Sequence, residues 1–363
     1  MKRLNKIVAL SMIILFASSL SYAQTRVVKT TAMKSNDYGV KYFLPKTVLR
    51  VEVKYTKTTQ QAGQYARYAE KLLGLNEANI IQEDQTFYTL NSVSGEGIGV
   101  PDRDASYLVE FKTKTTAPFV YLTEDGLICT INADYTPEPR ITTSTVSIPS
   151  SGGTPGDSQV LFTEEYLQAG SVAKMAEVLA RQIYRIRESR NDILLGDAEN
   201  APRDGEGMKI VLSNLDAQEK SLMELFVGTS QTQEGHASFE IEPQSDITKE
   251  VLFRFSKYGG VVDPDDLSGV PVYINVAAIE PIIPPVTVDP KRKEKISQSI
   301  VYAIPVKSTV EVFYGTQKMY GEEILIAQFG EKEMLATSLF EDKKAPVKIY
   351  FYPNTGAIKK IEQ

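Results

Sequence analysis

The run Leu49-Arg50-Val51-Glu52-Val53-Lys54-Tyr55-Thr56 alternates apolar and polar residues without a break. Successive side chains of an extended chain point to opposite faces, so this pattern buries one face of a sheet and wets the other. A strand is expected from Tyr42 to Thr56, with Pro45 ahead of the alternation, where a missing N–H is tolerated. Strand patterns recur at Thr86–Val93, Ser106–Lys114, Phe119–Leu122, Leu127–Asn132, Ala237–Ile241, Val251–Phe255 and Val270–Val276. They return at Ser299–Val306, Thr309–Tyr314, Ile324–Ala327, Val347–Tyr352 and Ala357–Ile361. Glu124-Asp125-Gly126 and Pro353-Asn354-Thr355-Gly356 supply the residues of tight hairpin turns.

Three segments follow the helical period instead. Gln61–Leu73 places Tyr65, Ala69, Leu72 and Leu73 on one face and ends at Gly74. The longest helix carries Val172, Met175, Val178, Leu179, Ile183, Ile186 and Ile193 at three- and four-residue steps, with Ser171 to cap it and Gly196 to end it. Another is expected over Leu215–Val227, with Ser213 and Asp216 in a capping-box-like spacing and Gly228 after it. The pattern defines an α+β fold, mainly antiparallel, with β-rich segments at both ends and a central segment of helices and strands.

The chain divides by composition. Residues 1–23 carry a basic start (Lys2, Arg3, Lys6), an apolar run and the small-residue end Ser21-Tyr22-Ala23, the three parts of a secretory signal cleaved after Ala23. Residues 24–40 read as a flexible lead-in to an N-terminal β-rich domain, 24–141. Ser/Gly/Pro-rich residues 142–157 read as a linker, 158–280 as a central α/β domain, Pro-rich 281–297 as a second linker and 298–363 as a C-terminal β domain. The two ends echo each other. Tyr42-Phe43-Leu44-Pro45 resembles Tyr302-Ala303-Ile304-Pro305, Val51-Glu52-Val53 resembles Val310-Glu311-Val312, and Ala117-Pro118 resembles Ala345-Pro346. These echoes predict a duplicated β unit whose two copies share one strand order.

Cys129 is the single cysteine, so no internal disulfide forms, and its apolar strand context predicts burial. The chain has 40 Lys+Arg against 46 Asp+Glu, and loss of Lys2, Arg3 and Lys6 with the signal takes the net charge from −6 to −9. An acidic chain without a dominant basic tract disfavours nucleic-acid binding. No second apolar stretch reaches the roughly 20 residues that a transmembrane helix needs.

The single histidine, His236, limits the available chemistry. Any Ser-His-Asp or Cys-His arrangement must use it, yet no Gly-x-Ser-x-Gly elbow exists and its context reads as a surface or edge position. One Cys and one His make no conventional zinc site. Calcium stays open at two acidic loops, Asp197/Glu199/Asn200/Asp204/Glu206 and Asp263/Asp265/Asp266, neither in the order of an EF-hand, and solvated loops are the commoner reading. Gly95, Gly97 and Gly99 miss the dinucleotide spacing and read as a flexible hairpin loop. Arg181, Arg185, Arg187 and Arg190 on the long helix, and the run Lys291-Arg292-Lys293-Glu294-Lys295, read as solvated faces. No catalytic residue and no cofactor is expected, and the metal question is open.

Several stretches resemble an exported family of Bacteroidota known as domain of unknown function 4831. They are Tyr42-Phe43-Leu44-Pro45-Lys46-Thr47, Ala62-Gly63-Gln64-Tyr65-Ala66-Arg67-Tyr68-Ala69 with Gly74, Ile186–Leu194 before Gly196-Asp197, Pro202-Arg203-Asp204-Gly205, Leu225-Phe226-Val227-Gly228 and Gln328-Phe329-Gly330. The resemblance covers most of the mature chain and implies export in a two-membrane bacterium, with no catalytic residues to carry over. The expectation is a non-enzymatic envelope binding or scaffolding component, periplasmic or outer-membrane associated, with a protein partner. The alternatives are an envelope-glycan hydrolase using paired carboxylates and a calcium-stabilised adhesion module.

Overall fold

The computed structural model of the chain describes residues 26–29, 39–110, 120–135, 162–198, 204–280, 299–336, 339 and 347–362. The alternation at Leu49–Thr56 lies in β2 (Gly39–Gln61), which pairs antiparallel with β3 (Gln85–Glu110). Leu49, Val51 and Val53 are buried, while Lys54 is exposed. With β1 (Arg26–Lys29) and β6 (Thr229–Ile241), these strands form the first sheet, in the order β1-β3-β2-β6. The expected lead-in thus contributes a strand, Arg26–Lys29, on Tyr107–Glu110.

The second sheet runs β11-β10-β9-β7-β8, from β7 (Ile247–Ser256), β8 (Gly260–Val262), β9 (Val270–Ala278), β10 (Ser299–Tyr314) and β11 (Gln317–Ala336). The first two sheets share one core, in which Leu49, Val51, Val53 and Val93 meet Phe253, Ile274, Val310 and Phe329. Full burial of such a side chain stabilises by roughly 1.5–3 kcal/mol. A third sheet, β13-β12-β5-β4, joins β4 (Val120–Leu122) and β5 (Ile128–Ile131) to β12 (Lys348–Phe351) and β13 (Ile358–Glu362). Its inner residues pack on Tyr42, Leu44, Tyr107 and Val301. The fold is α+β and mainly antiparallel.

Strand pairing does not follow the division by composition. β6 of the central segment pairs with β2, β9 pairs with β10, and β12 of the last segment pairs with β5 of the first. The Tyr42 hydroxyl accepts from the Val301 N–H (3.0 Å) and donates to its carbonyl (3.1 Å), tying the two ends together. Both sequence linkers, 142–157 and 281–297, lie outside the described residues.

The duplication is written in the registers. In β2/β3, pairing breaks between Phe43 and Pro45, where one residue opposes four on the return strand, 102–105. In β10/β11 it breaks between Ile304 and Val306, opposite 327–330. A second break leaves one extra residue on the return strand, Asn91 in the first unit and Met319 in the second. The short hairpins β4/β5 and β12/β13 each carry one further extra residue, Cys129 and Lys359. Each closes on a glycine with positive φ, Gly126 (83°) and Gly356 (73°), which only glycine adopts readily. The carbonyls of these glycines accept from Phe43 N–H (2.9 Å) and Ala303 N–H (3.2 Å), residues that the sequence echo also aligns. Ala117-Pro118 and Ala345-Pro346 lie outside the described residues.

Helices fill the first unit's hairpin loop and the segment before β6. α1 (Ala66–Leu73) starts later than expected, because Gln61 still belongs to β2, and ends at Gly74 in the left-handed conformation. α2 (Glu164–Leu167) is one turn. α3 (Val172–Leu195) is capped by the Ser171 hydroxyl, which accepts from Lys174 N–H, and ends at left-handed Gly196. α4 (Gly205–Val227) begins ten residues before the expected start. Its cap is the Asp204 carboxylate, which accepts from Gly207 N–H (2.5 Å). Ser213 and Asp216 therefore lie inside the helix, and Gly205 and Gly207 in the first turn hide its start because glycine is a poor helix former. The four described α-helices share a core of Tyr65, Leu73, Tyr166, Leu179, Ile183, Leu222 and Phe226. None of the described helices is long and apolar enough to cross a membrane.

Candidate functional site

Along β2, Arg50, Glu52 and Lys54 face away from the core and pair across both neighbours. Arg50 stands opposite Glu96 of β3 and Glu240 of β6, Glu52 opposite Ser94 and Ser238, and Lys54 opposite Ser92 and His236. The alternation that buries Leu49, Val51 and Val53 therefore builds a polar ladder on the other face. Arg50 donates through Nε (3.1 Å) and Nη2 (2.8 Å) to Glu240 Oε1 and lies 3.5 Å from Glu96, which fastens three strands together. Asn91, the extra residue of β3, donates to Thr56 Oγ1 at 2.7 Å. Glu52, Lys54 and His236 have no ion-pair partner among the described residues. The face is a polar surface whose charges of both signs have no ion-pair partner at Glu52 and Lys54 among the described residues.

The other sequence candidates fall apart or take structural work. His236 is exposed on β6, with Lys54 beside it on β2. Asp266 accepts from Ser268 N–H (2.9 Å), which holds its carboxyl below the usual range. Arg254 donates to the Pro264 and Gly269 carbonyls and pins that same loop. Asp204 caps α4, and Glu199 and Asn200 lie outside the described residues. Among the described residues no cluster of three or more His, Cys, Asp or Glu is placed to hold a metal ion. Arg187 pairs with Glu219 (2.6 Å) and Arg190 with Asp216 (2.8 Å) and Glu219 (3.0 Å), which clasps α3 to α4. Arg181 pairs with Glu165 (3.0 Å). Cys129 is buried, and burial pushes its thiol pKa up, away from the reactive thiolate. Lys291–Lys295 lie outside the described residues.

Gly95, Gly97 and Gly99 are not a loop. They lie within β3, opposite Val51, Leu49 and Thr47. A Cβ at Gly95 would stand 2.8 Å from the Tyr320 ring, and one at Gly97 2.8 Å from Ile324 Cγ2. Glycine at these places lets β11 pack directly on the sheet. A depression of about 540 Å³ near α1, lined by Gln60, Asn79, Ile80, Ile81, Gln82 and Glu83, is open and polar and brings no acid–base pair together. Buried tyrosines serve the cores. Tyr65 and Tyr166 share a hydrogen bond (2.7 Å), and burial raises the pKa of Tyr65 and of Tyr42.

The class is thus a duplicated antiparallel β protein with a helical insertion and a polar ladder on the outer face of its first sheet. The family designated "Domain of unknown function (DUF4831)" matches residues 38–359, and the chain belongs to that family. No curated protein and no solved structure matches it.

Proposed function

We propose that this chain is an exported cell-envelope component that binds a partner protein through the outer face of its first sheet. The observation that carries this reading is the ladder Glu96–Arg50–Glu240, Ser94–Glu52–Ser238 and Ser92–Lys54–His236, with Glu52, Lys54 and His236 free of ion pairs among the described residues. A sheet face is ordered before binding, so association costs little conformational entropy. Charges of both signs at fixed spacings favour a polar partner of complementary pattern and reject mismatched ones. Export rests on residues 1–23, with cleavage after Ala23 leading to the periplasm or the outer membrane.

Crosslinking of the tagged protein in intact cells, followed by fractionation and capture, tests the reading. Recovery of one envelope protein, lost with the double charge reversal Glu52→Lys and Lys54→Glu, is the expected result. Recovery of the chain free of any partner in the soluble fraction overturns the binding role, and recovery from the cytoplasm overturns export.

A further inference from the structure

β6 is an open edge. Among the described residues no strand pairs with it on the side away from β2. In the second sheet the strand next to the duplicated hairpin is β9, and there β7 pairs along the far side. An open edge presents unpaired N–H and C=O groups and templates the addition of another strand. Natural sheets blunt such edges with prolines, lysines or bulges. β6, Thr-Ser-Gln-Thr-Gln-Glu-Gly-His-Ala-Ser-Phe-Glu-Ile, has no proline or lysine and pairs with β2 over its full length without a register break.

We propose that β6 pairs antiparallel with β6 of a second copy of this chain, about a two-fold axis at Gly235. Gly235 is the midpoint of the 13-residue strand Thr229–Ile241, so this register overlaps the two strands end to end. On the exposed face it sets Glu234 of each copy opposite His236 of the other, Thr232 opposite Ser238, and Ser230 opposite Glu240. An imidazole N–H donates to a carboxylate in either protonation state, and no like charges meet. A centre at Glu234 sets that carboxylate against its own copy, and a centre at Ala237 sets Glu234 against Glu240. A centre at His236 opposes the two histidines and shortens the overlap. Within each copy the β2 neighbours are Lys54 beside His236 and Thr56 beside Glu234, which leaves both side chains available across the edge. At the axis Gly235 carries no side chain, and its inner side is filled by the Tyr55 ring. The pairing joins two first sheets into one eight-stranded sheet and makes the polar ladder twice as wide.

Sedimentation or light scattering of the purified full chain over a concentration range tests this. A reversible dimer is expected. Glu234→Lys sets lysine opposite histidine, and His236→Glu sets carboxylate opposite carboxylate. Each acts at two symmetric positions and weakens the dimer by about tenfold. The double variant restores the opposite pairing and with it the dimer. Both side chains are exposed, so circular dichroism of every variant stays that of the parent. A monomer at all concentrations overturns the inference, as does a dimer that neither single substitution moves. Neither outcome bears on partner binding, which the capture experiment reads separately.

Discussion

The two hairpin units, β2–β5 and β10–β13, share their register breaks but spend the longest one differently. In the first unit the four return-strand residues at this break are Asp102, Arg103, Asp104 and Ala105, with Arg103 and Asp104 exposed. In the second they are Ala327, Gln328, Phe329 and Gly330, which turn into the molecule. Phe329 is fully buried between the sheets. Gln328 accepts from Thr47 N–H (2.7 Å) and donates to the Thr47 and Pro243 carbonyls (both 2.8 Å). The Thr47 hydroxyl accepts from Ala327 N–H (3.0 Å). One backbone irregularity thus serves as a solvent loop in one copy and as the lock between copies in the other. Such breaks re-aim side chains, and the side chains present decide the use.

The largest effect that tests this contrast is Phe329→Ala. Loss of a fully buried phenyl costs about 3–5 kcal/mol, read as a large drop in the denaturant midpoint, and a small change would show that the second break is not a core element. Gln328→Ala comes next. It strands the buried-side partners of the amide around Thr47 and costs about 1–3 kcal/mol, with Gln328→Glu still destabilising because two of the three bonds need a donor. Chemical denaturation of both variants checks the order. Arg103→Ala, at the corresponding break of the first unit, stays within about 0.5 kcal/mol of the parent. A cost comparable to that of Gln328→Ala would erase the distinction between the two breaks.

The sequence made local patterns legible. The alternation at Leu49–Thr56, the caps at Ser171 and Gly196, the hairpin glycines Gly126 and Gly356 and the buried Cys129 all follow from neighbours within a few residues. Features set by distant chain were misread. Gly95, Gly97 and Gly99 resemble a loop because glycine weakens a strand, and the reason for them lies more than two hundred residues away, β11 at Gly95 and Gly97 and the Asn354 turn at Gly99. The expected strands Ser299–Val306 and Thr309–Tyr314 likewise form one strand, β10, which continues past its register break at Pro305. The polar ladder was visible on β2, but its other columns on β3 and β6 depend on pairings that one sequence does not print. The exposed edge position of His236 was legible, and its placement beside Lys54 was not.

The bond between Tyr42 and Val301 spans 259 positions of the chain, and it has a kinetic consequence. Loop closure over such a separation carries a large entropic cost before any contact rewards it, and folds dominated by distant pairings form slowly. β2 emerges early, but its partner β6, the lock at Gln328 and the third sheet's β12 all come from later chain. A ribosome must therefore deliver nearly the whole polypeptide before β2 has all of its packing partners. For that interval β2 and β3 are at most a lone hairpin, which is only marginally stable in water.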